Sequence, residues 1–121
     1  MDGIVVINKD AGMTSHDVVN KVRRITGERR CGHTGTLDPM ASGVLVMCMG
    51  KSTRLVRFMM EGSKRYVAEV MLGTATDSGD ADGEVTEASE PFEICKDLFI
   101  QSFKPFLGNI KQLPPMVSAV H

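Results

Sequence analysis

The segment richest in chemical possibilities runs from Cys31 to Gly43, CGHTGTLDPMASG. Asp38 sits in it between Leu37 and Pro39, among the small residues Gly35, Ala41, Ser42 and Gly43. Pro39 has no N–H and biases Asp38 away from the helical region, so the pair reads as loop. The small neighbours allow a bulky ligand to approach the backbone closely. A carboxylate in such a loop suits acid/base or nucleophilic work. The alternative is an Asx-turn, in which Asp38 caps its own loop.

Other groupings fail on spacing. Gly50-Lys51-Ser52-Thr53 follows a strand-like run and precedes a helical one, the context of a phosphate-binding loop. The first glycine of that motif would fall on Leu45, where a side chain blocks the backbone's approach to phosphate. The acidic stretch Asp77 to Gly83 suggests a calcium loop, but alignment on Gly83 puts Ser78 and Ser89 at the two terminal ligand positions. A calcium loop needs Asp and a bidentate Glu there, so a solvated hairpin turn fits better. His16, His33 and His121 with Cys31, Cys48 and Cys95 give no zinc spacing.

The elements that must carry Asp38 can be read on either side of it. Gly3 to Ile7 is a β-branched run expected as a buried strand. Thr14-Ser15 offers a helix N-cap, and Asp17 falls in the first turn, where a carboxylate suits the helix dipole. Val18, Val19, Val22 and Ile25 share one helical face, Arg23 and Arg24 lie near the end, and Gly27 stops the helix. Glu28 to Met40 is expected as loop, and Gly43 to Met49 as a second buried strand. Ser52 or Thr53 should cap a short helix with Leu55, Val56, Phe58 and Met59 inward, ending at Gly62.

Lys64 to Leu72 is expected as a third strand, Thr74 to Gly83 as an acidic turn, and Pro91 to Phe103 as a helix. Ile94, Leu98 and Phe99 would form that helix's inner face, and Pro105 prevents its continuation. The tail from Asn109 to His121, with Pro114-Pro115, should be extended. Strands and helices mix without strict βαβ alternation, which favours a mixed sheet with helices on its faces.

Composition bounds the class. With 42% hydrophobic and 24% charged residues the chain is expected to be globular rather than disordered, no run of eighteen apolar residues suggests a transmembrane helix, and the length suits one domain. Three widely spaced cysteines form no disulfide framework, so a reducing, cytoplasmic compartment is expected. The net charge of -1 hides an asymmetry: residues 1–65 carry a net of +5 and the remainder a net of -6. The basic half could face a polyanion or be a solvated surface.

Several ordered motifs resemble those of the TruB family of tRNA pseudouridine synthases. Gly32-His33-Thr34-Gly35-Thr36-Leu37-Asp38-Pro39, continuing through Leu45, is similar to the family's catalytic loop. Lys9 to Ser15 resembles its KPxGxTS motif, Lys64-Arg65-Tyr66 its KxY motif, and Thr76 to Gly83 its TDTxDxxG turn. Phe106 to Pro115, with Ser118-Ala119-Val120, resembles its FxGxIxQxPPxxSAV segment. Asp10 stands where the family usually has proline, and Val117 where an aromatic is common. Family members run well beyond twice this length, so the resemblance implies an N-terminal part of the catalytic domain. The pocket arginine and the C-terminal RNA-binding module would then belong to later sequence.

The resemblance further implies an α+β fold, with a mixed, largely antiparallel sheet and flanking helices: a partial pseudouridine synthase fold. It implies an isomerase that flips uridine-55 out of the TΨC arm of tRNA and reattaches the base to ribose through C5. No metal or cofactor is implied, and no membrane. Asp38 would be the catalytic carboxylate, as nucleophile or as base. His33, Tyr66 and Lys64 would bind the RNA, with Tyr66 stacking on the flipped base. Lys9, Gly12, Thr14, Gly35 and Pro39 would support the catalytic loop. Lys21, Arg23, Arg24, Arg29 and Arg30 could meet phosphates or form a solvated face. A non-catalytic RNA-binding fragment and a related RNA-guided synthase are the alternatives. The remaining portion of the same enzyme is the implied partner, and without it the 121 residues should be inactive.

Overall fold

The computed structural model describes residues 1–113. The chain divides into two units, Met1–Tyr66 and Val67–His121. In the first, β1 (Gly3–Lys9) leads through a turn into α1 (Ser15–Thr26), followed by β2 (Cys31–His33) and β3 (Gly43–Met49). A 3-10 turn (Gly50–Leu55) then runs into the short α2 (Val56–Met59). The sheet order is β1-β3-β2, and both pairings are antiparallel.

Two-residue alternation along β1 divides its side chains between the two sheet faces. Val5, Ile7 and Lys9 share a face, and the ladder sets Val5 opposite Met47 and Ile7 opposite Leu45. On that face Val18, Val19 and Val22 of α1 bury themselves against Leu45, Met47, Met49 and Cys31. Ile25, one turn further on, is exposed rather than inward. On the opposite face Cys48 is buried, its sulfur 3.9 Å from that of Met59 in α2.

Helix α1 has both ends specified locally. Thr14 Oγ1 accepts from the Asp17 N–H at 3.0 Å, and Asp17 Oδ2 accepts from the Thr14 N–H at 2.9 Å, a complete capping box. Gly27 ends the helix at φ 70°, where its N–H reaches the Arg23 carbonyl.

The second unit pairs β4 (Thr74–Thr76) with β5 (Val85–Ala88) in an antiparallel hairpin around the acidic turn, followed by α3 (Lys96–Ser102) and a 3-10 turn at Lys104–Phe106. Among its described residues no side chain is buried. The α+β class holds, with antiparallel sheets and three α-helices among the described residues. No helix among the described residues is long and apolar enough to cross a membrane.

Further local expectations are corrected. Cys31–His33 is strand rather than loop, because β3 supplies a partner that three residues cannot signal by periodicity. Lys64 to Leu72 forms no strand: it has no ladder partner among the described residues, and Val67 is fully exposed. Strand propensity without a neighbouring ladder leaves backbone groups to water. The last helix begins at Lys96 rather than Pro91, with the Cys95 sulfur accepting from the Leu98 N–H. Its expected inner residues Ile94, Leu98 and Phe99 are exposed. The helical segment after β3 starts at Gly50 with no side-chain cap, and Leu55 and Phe58 are exposed while Val56 and Met59 are half-buried. Pro114-Pro115, Val117, Ser118-Ala119-Val120 and His121 lie outside the described residues.

The capping box makes α1 sensitive to acid. Hydrogen bonds from the Thr14 side chain and backbone hold the Asp17 carboxyl below its ordinary value of 3.8. A depressed folded-state pKa stabilises above the unfolded value, and that contribution disappears as pH falls through the folded one. Asp17→Ala should therefore lower the melting temperature at neutral pH, and the difference from wild type should vanish below the ordinary carboxylate range. Thermal unfolding followed by circular dichroism across that range checks this.

Candidate active site

The loop from Thr34 to Ser42 leaves β2 and returns as β3, so both its ends are anchored in the sheet. Thr34 is buried, and its N–H reaches the Val46 carbonyl at 2.9 Å. Leu37 turns its side chain toward the core. The middle of the loop is held by residues before and within α1.

Lys9 is the last residue of β1, and strand alternation turns it toward the core face. It is only 1% exposed. Its ammonium donates to the carbonyls of Asp10 at 2.9 Å, Met13 at 2.7 Å and Pro39 at 3.3 Å. An ammonium has three N–H donors, and three carbonyls occupy them. The Gly12 N–H also donates to the Pro39 carbonyl, at 2.7 Å. Gly12 has φ 86°, a conformation costly for a side-chain-bearing residue, which is why glycine suits this turn.

Ser15 holds the other side of Asp38. Its hydroxyl accepts from the Leu37 N–H at 2.9 Å and donates to the Leu37 carbonyl at 3.1 Å. The residues before and after Asp38 are thus both fixed to the segment spanning Lys9 to Ser15. Asp38 itself is exposed. Its carboxylate makes no hydrogen bond among the described residues, so the Asx-turn alternative is not what the loop adopts. Only its backbone carbonyl is engaged, by the Ala41 N–H at 3.0 Å.

Of the residues expected at the site, Lys9, Gly12 and Pro39 meet by direct hydrogen bonds. Gly35 meets Lys64: a Cβ on Gly35 would lie 2.9 Å from Lys64 Cε, so the missing side chain makes room for the lysine. His33 is half-buried on β2 opposite Met47, with its Nδ1 buried and unpaired among the described residues. Thr14 acts in the α1 cap and makes no hydrogen bond to the loop. Tyr66 is exposed at the end of the first unit and makes no side-chain hydrogen bond to the loop among the described residues.

Arg23 spends its guanidinium on the Cys31 carbonyl at 3.3 Å, whereas Lys21, Arg24, Arg29 and Arg30 are exposed. Among the described residues no three metal-ligating side chains converge. By local pattern Ser15 is no more than a possible helix cap. Its place in the same short motif as Lys9 and Gly12 was the available signal.

Removing the Lys9 ammonium should free the loop. Lys9→Met keeps length and apolar bulk but leaves the Asp10, Met13 and Pro39 carbonyls short of a donor. A cost of about 1–3 kcal/mol is expected from unsatisfied buried groups, measurable by denaturant unfolding. Amide exchange should quicken most at Gly12, whose acceptor is the Pro39 carbonyl that loses its second donor.

Residues 23–121 match the N-terminal domain of TruB family pseudouridylate synthases. The chain is 46% identical over 120 residues to tRNA pseudouridine synthase B of Pelotomaculum thermopropionicum, covering 99% of this chain and 38% of that protein. It is 49% identical over 120 residues to the synthase B of Dehalococcoides mccartyi, covering 99% of this chain and 40% of the relative. The chain thus spans about two fifths of the length of these relatives. Among solved structures, a chain of a Cbf5-Nop10-Gar1 complex superposes with a TM-score of 0.60 at 30% identity, covering 98% of this chain and 31% of that one.

Proposed function

The chain belongs to the TruB family of pseudouridylate synthases, and we propose on that premise that it carries the catalytic loop of an enzyme converting uridine-55 of the tRNA TΨC arm to pseudouridine. The observation that carries the reading is the placement of Asp38. Its neighbours are pinned through the Leu37 and Pro39 backbone, while its carboxylate is exposed and unpaired among the described residues. A rigidly mounted carboxylate with free acceptor lone pairs is ready to meet a substrate.

The reaction is an isomerisation. The N1–C1′ bond of the uridine breaks, C5 bonds to C1′, the C5 proton is lost and N1 gains a proton. No electrons are exchanged with a second reactant. Asp38 acts on the ribose, either bonding to C1′ or taking the 2′ proton. Either role requires the target base to leave its stack. Tyr66 stacks on the flipped base, and the ring of His33 supports the displaced loop. Lys64, lying over Gly35, brings an ammonium to the catalytic loop for a phosphate. The exposed Lys21, Arg24, Arg29 and Arg30 supply further positive charge to the tRNA. Three unpaired cysteines suit a cytoplasmic setting.

The test uses a chimera in which residues 1–121 replace the matching stretch of the Dehalococcoides mccartyi relative. Asp38→Asn keeps shape and removes the charge and nucleophilicity. Tritium release from tRNA labelled at uridine C5 should fall to background, while tRNA retention on filters stays close to wild type. Undiminished tritium release would sink the assignment of Asp38.

Tyr66→Leu in the same chimera should reduce turnover by about tenfold and leave tRNA affinity within about threefold. Stacking contributes on the order of 1–3 kcal/mol per base, whereas affinity rests mainly on phosphate contacts. Wild-type turnover by this variant would exclude the stacking role.

A further inference from the structure

We infer that Ser15 is a positioning residue for the Asp38 carboxylate, acting through the backbone of Leu37. The inference rests on the reading of Asp38 as the catalytic group and extends it to the residue that orients it. Ser15 is the first residue of α1 and is 3% exposed. Its one hydroxyl serves the same residue twice, accepting from the Leu37 N–H at 2.9 Å and donating to the Leu37 carbonyl at 3.1 Å. The N–H and carbonyl of one residue are separated by that residue's φ and ψ. Holding both groups from a single point therefore fixes both torsions, and with them the peptide plane that enters Asp38.

The serine is not needed where it stands for the helix. Thr14 and Asp17 already form the complete capping box, with Thr14 Oγ1 on the Asp17 N–H and Asp17 Oδ2 on the Thr14 N–H. A residue at the first helical position has no obligation to carry a hydroxyl. The hydroxyl of Ser15 is committed to the loop instead.

Its mounting is stiff. Ser15 has a single side-chain torsion to its oxygen, and α1 is locked to the sheet by Val18, Val19 and Val22. On the far side of Asp38 the Pro39 carbonyl is held by Lys9 and Gly12. Leu37 also packs its side chain on the core, but that contact alone leaves the backbone plane free to rock. Ser15 is the polar contact that stops the rocking on the N-terminal side of Asp38. A loosened catalytic loop loses rate more than binding, since the reacting groups must be held in a narrow geometry.

The experiment uses the same chimera with unmodified tRNA. Ser15→Ala should lower kcat by about 10–100-fold and leave KM within about twofold. The double variant Cys48→Ala/Met59→Ala, on the sheet face opposite α1 and Ser15, serves as the stability control: it should lower the melting temperature at least as much and keep kcat near wild type. If Ser15→Ala does not fold, Ser15→Cys, similar in size with a much weaker donor and acceptor, is judged by the same kcat criterion. A kcat for the folded serine variant no lower than that of the Cys48→Ala/Met59→Ala control would reduce Ser15 to a structural residue and overturn the inference. Asp38→Asn, measured in parallel, separates the two claims. If it is inactive, a failed Ser15 result counts against Ser15 alone. If it remains active, the Asp38 reading falls, and the positioning role falls with it.

Discussion

A buried ammonium must find three acceptors or forfeit its place in the fold, and Lys9 finds them in the Asp10, Met13 and Pro39 carbonyls. No carboxylate pairs with it among the described residues; the only ion pair there joins the N-terminal ammonium to Glu28. Backbone carbonyls alone carry the charge. Two of them belong to the turn that follows β1, and the third belongs to the loop after β2, 30 positions away. Lys9 therefore ties together two segments that the sheet by itself leaves independent. Gly12 reinforces the tie from its own N–H.

The same stretch then continues into α1, and the helix passes the rigidity on. Its capping box defines where it starts, and its valines lock it onto β3. A helix fixed at that position carries Ser15 to the Leu37 backbone. The backbone geometry around Asp38 is in this way referred back to a tightly packed core, where Leu45 and Met47 have almost no exposure. Close-packed cores resist small displacements. A loop tied to such a core at both flanks of one residue can leave that residue's side chain in water without letting it wander.

The second unit has a different physical character. Its hairpin is closed by local hydrogen bonds around the acidic turn, including the Asp77 carboxylate on the Glu84 N–H at 3.0 Å. Gly83 is needed there because a Cβ would run into Ser78, Asp77 and Thr76. Its apolar side chains, among them Phe92, Leu98 and Phe103, are nevertheless exposed. Short elements with local closure form by turn chemistry, whereas burial requires a facing surface.

Local sequence determined what local chemistry can specify: the strand from Gly3 to Ile7, which pairing with β3 carries on to Lys9, the strand over Gly43–Met49, the start of α1 at Thr14 and Asp17, its stop at Gly27, and the hairpin turn ending at Gly83. Alternation, capping and positive φ each leave a signature within a few residues. The motif resemblance likewise marked Asp38, Lys9, Gly12 and Pro39 together. Tertiary structure alone decided the rest. Cys31–His33 became a strand because β3 lay beside it, and Lys64 to Leu72 did not because nothing paired with it among the described residues. The meeting of Ser15 with Leu37 was equally invisible, since the two are 22 positions apart and a hydroxyl carries no sign of its partner. Pairing and hydrogen-bond partners depend on what the folded chain places opposite a residue, and no local pattern encodes that.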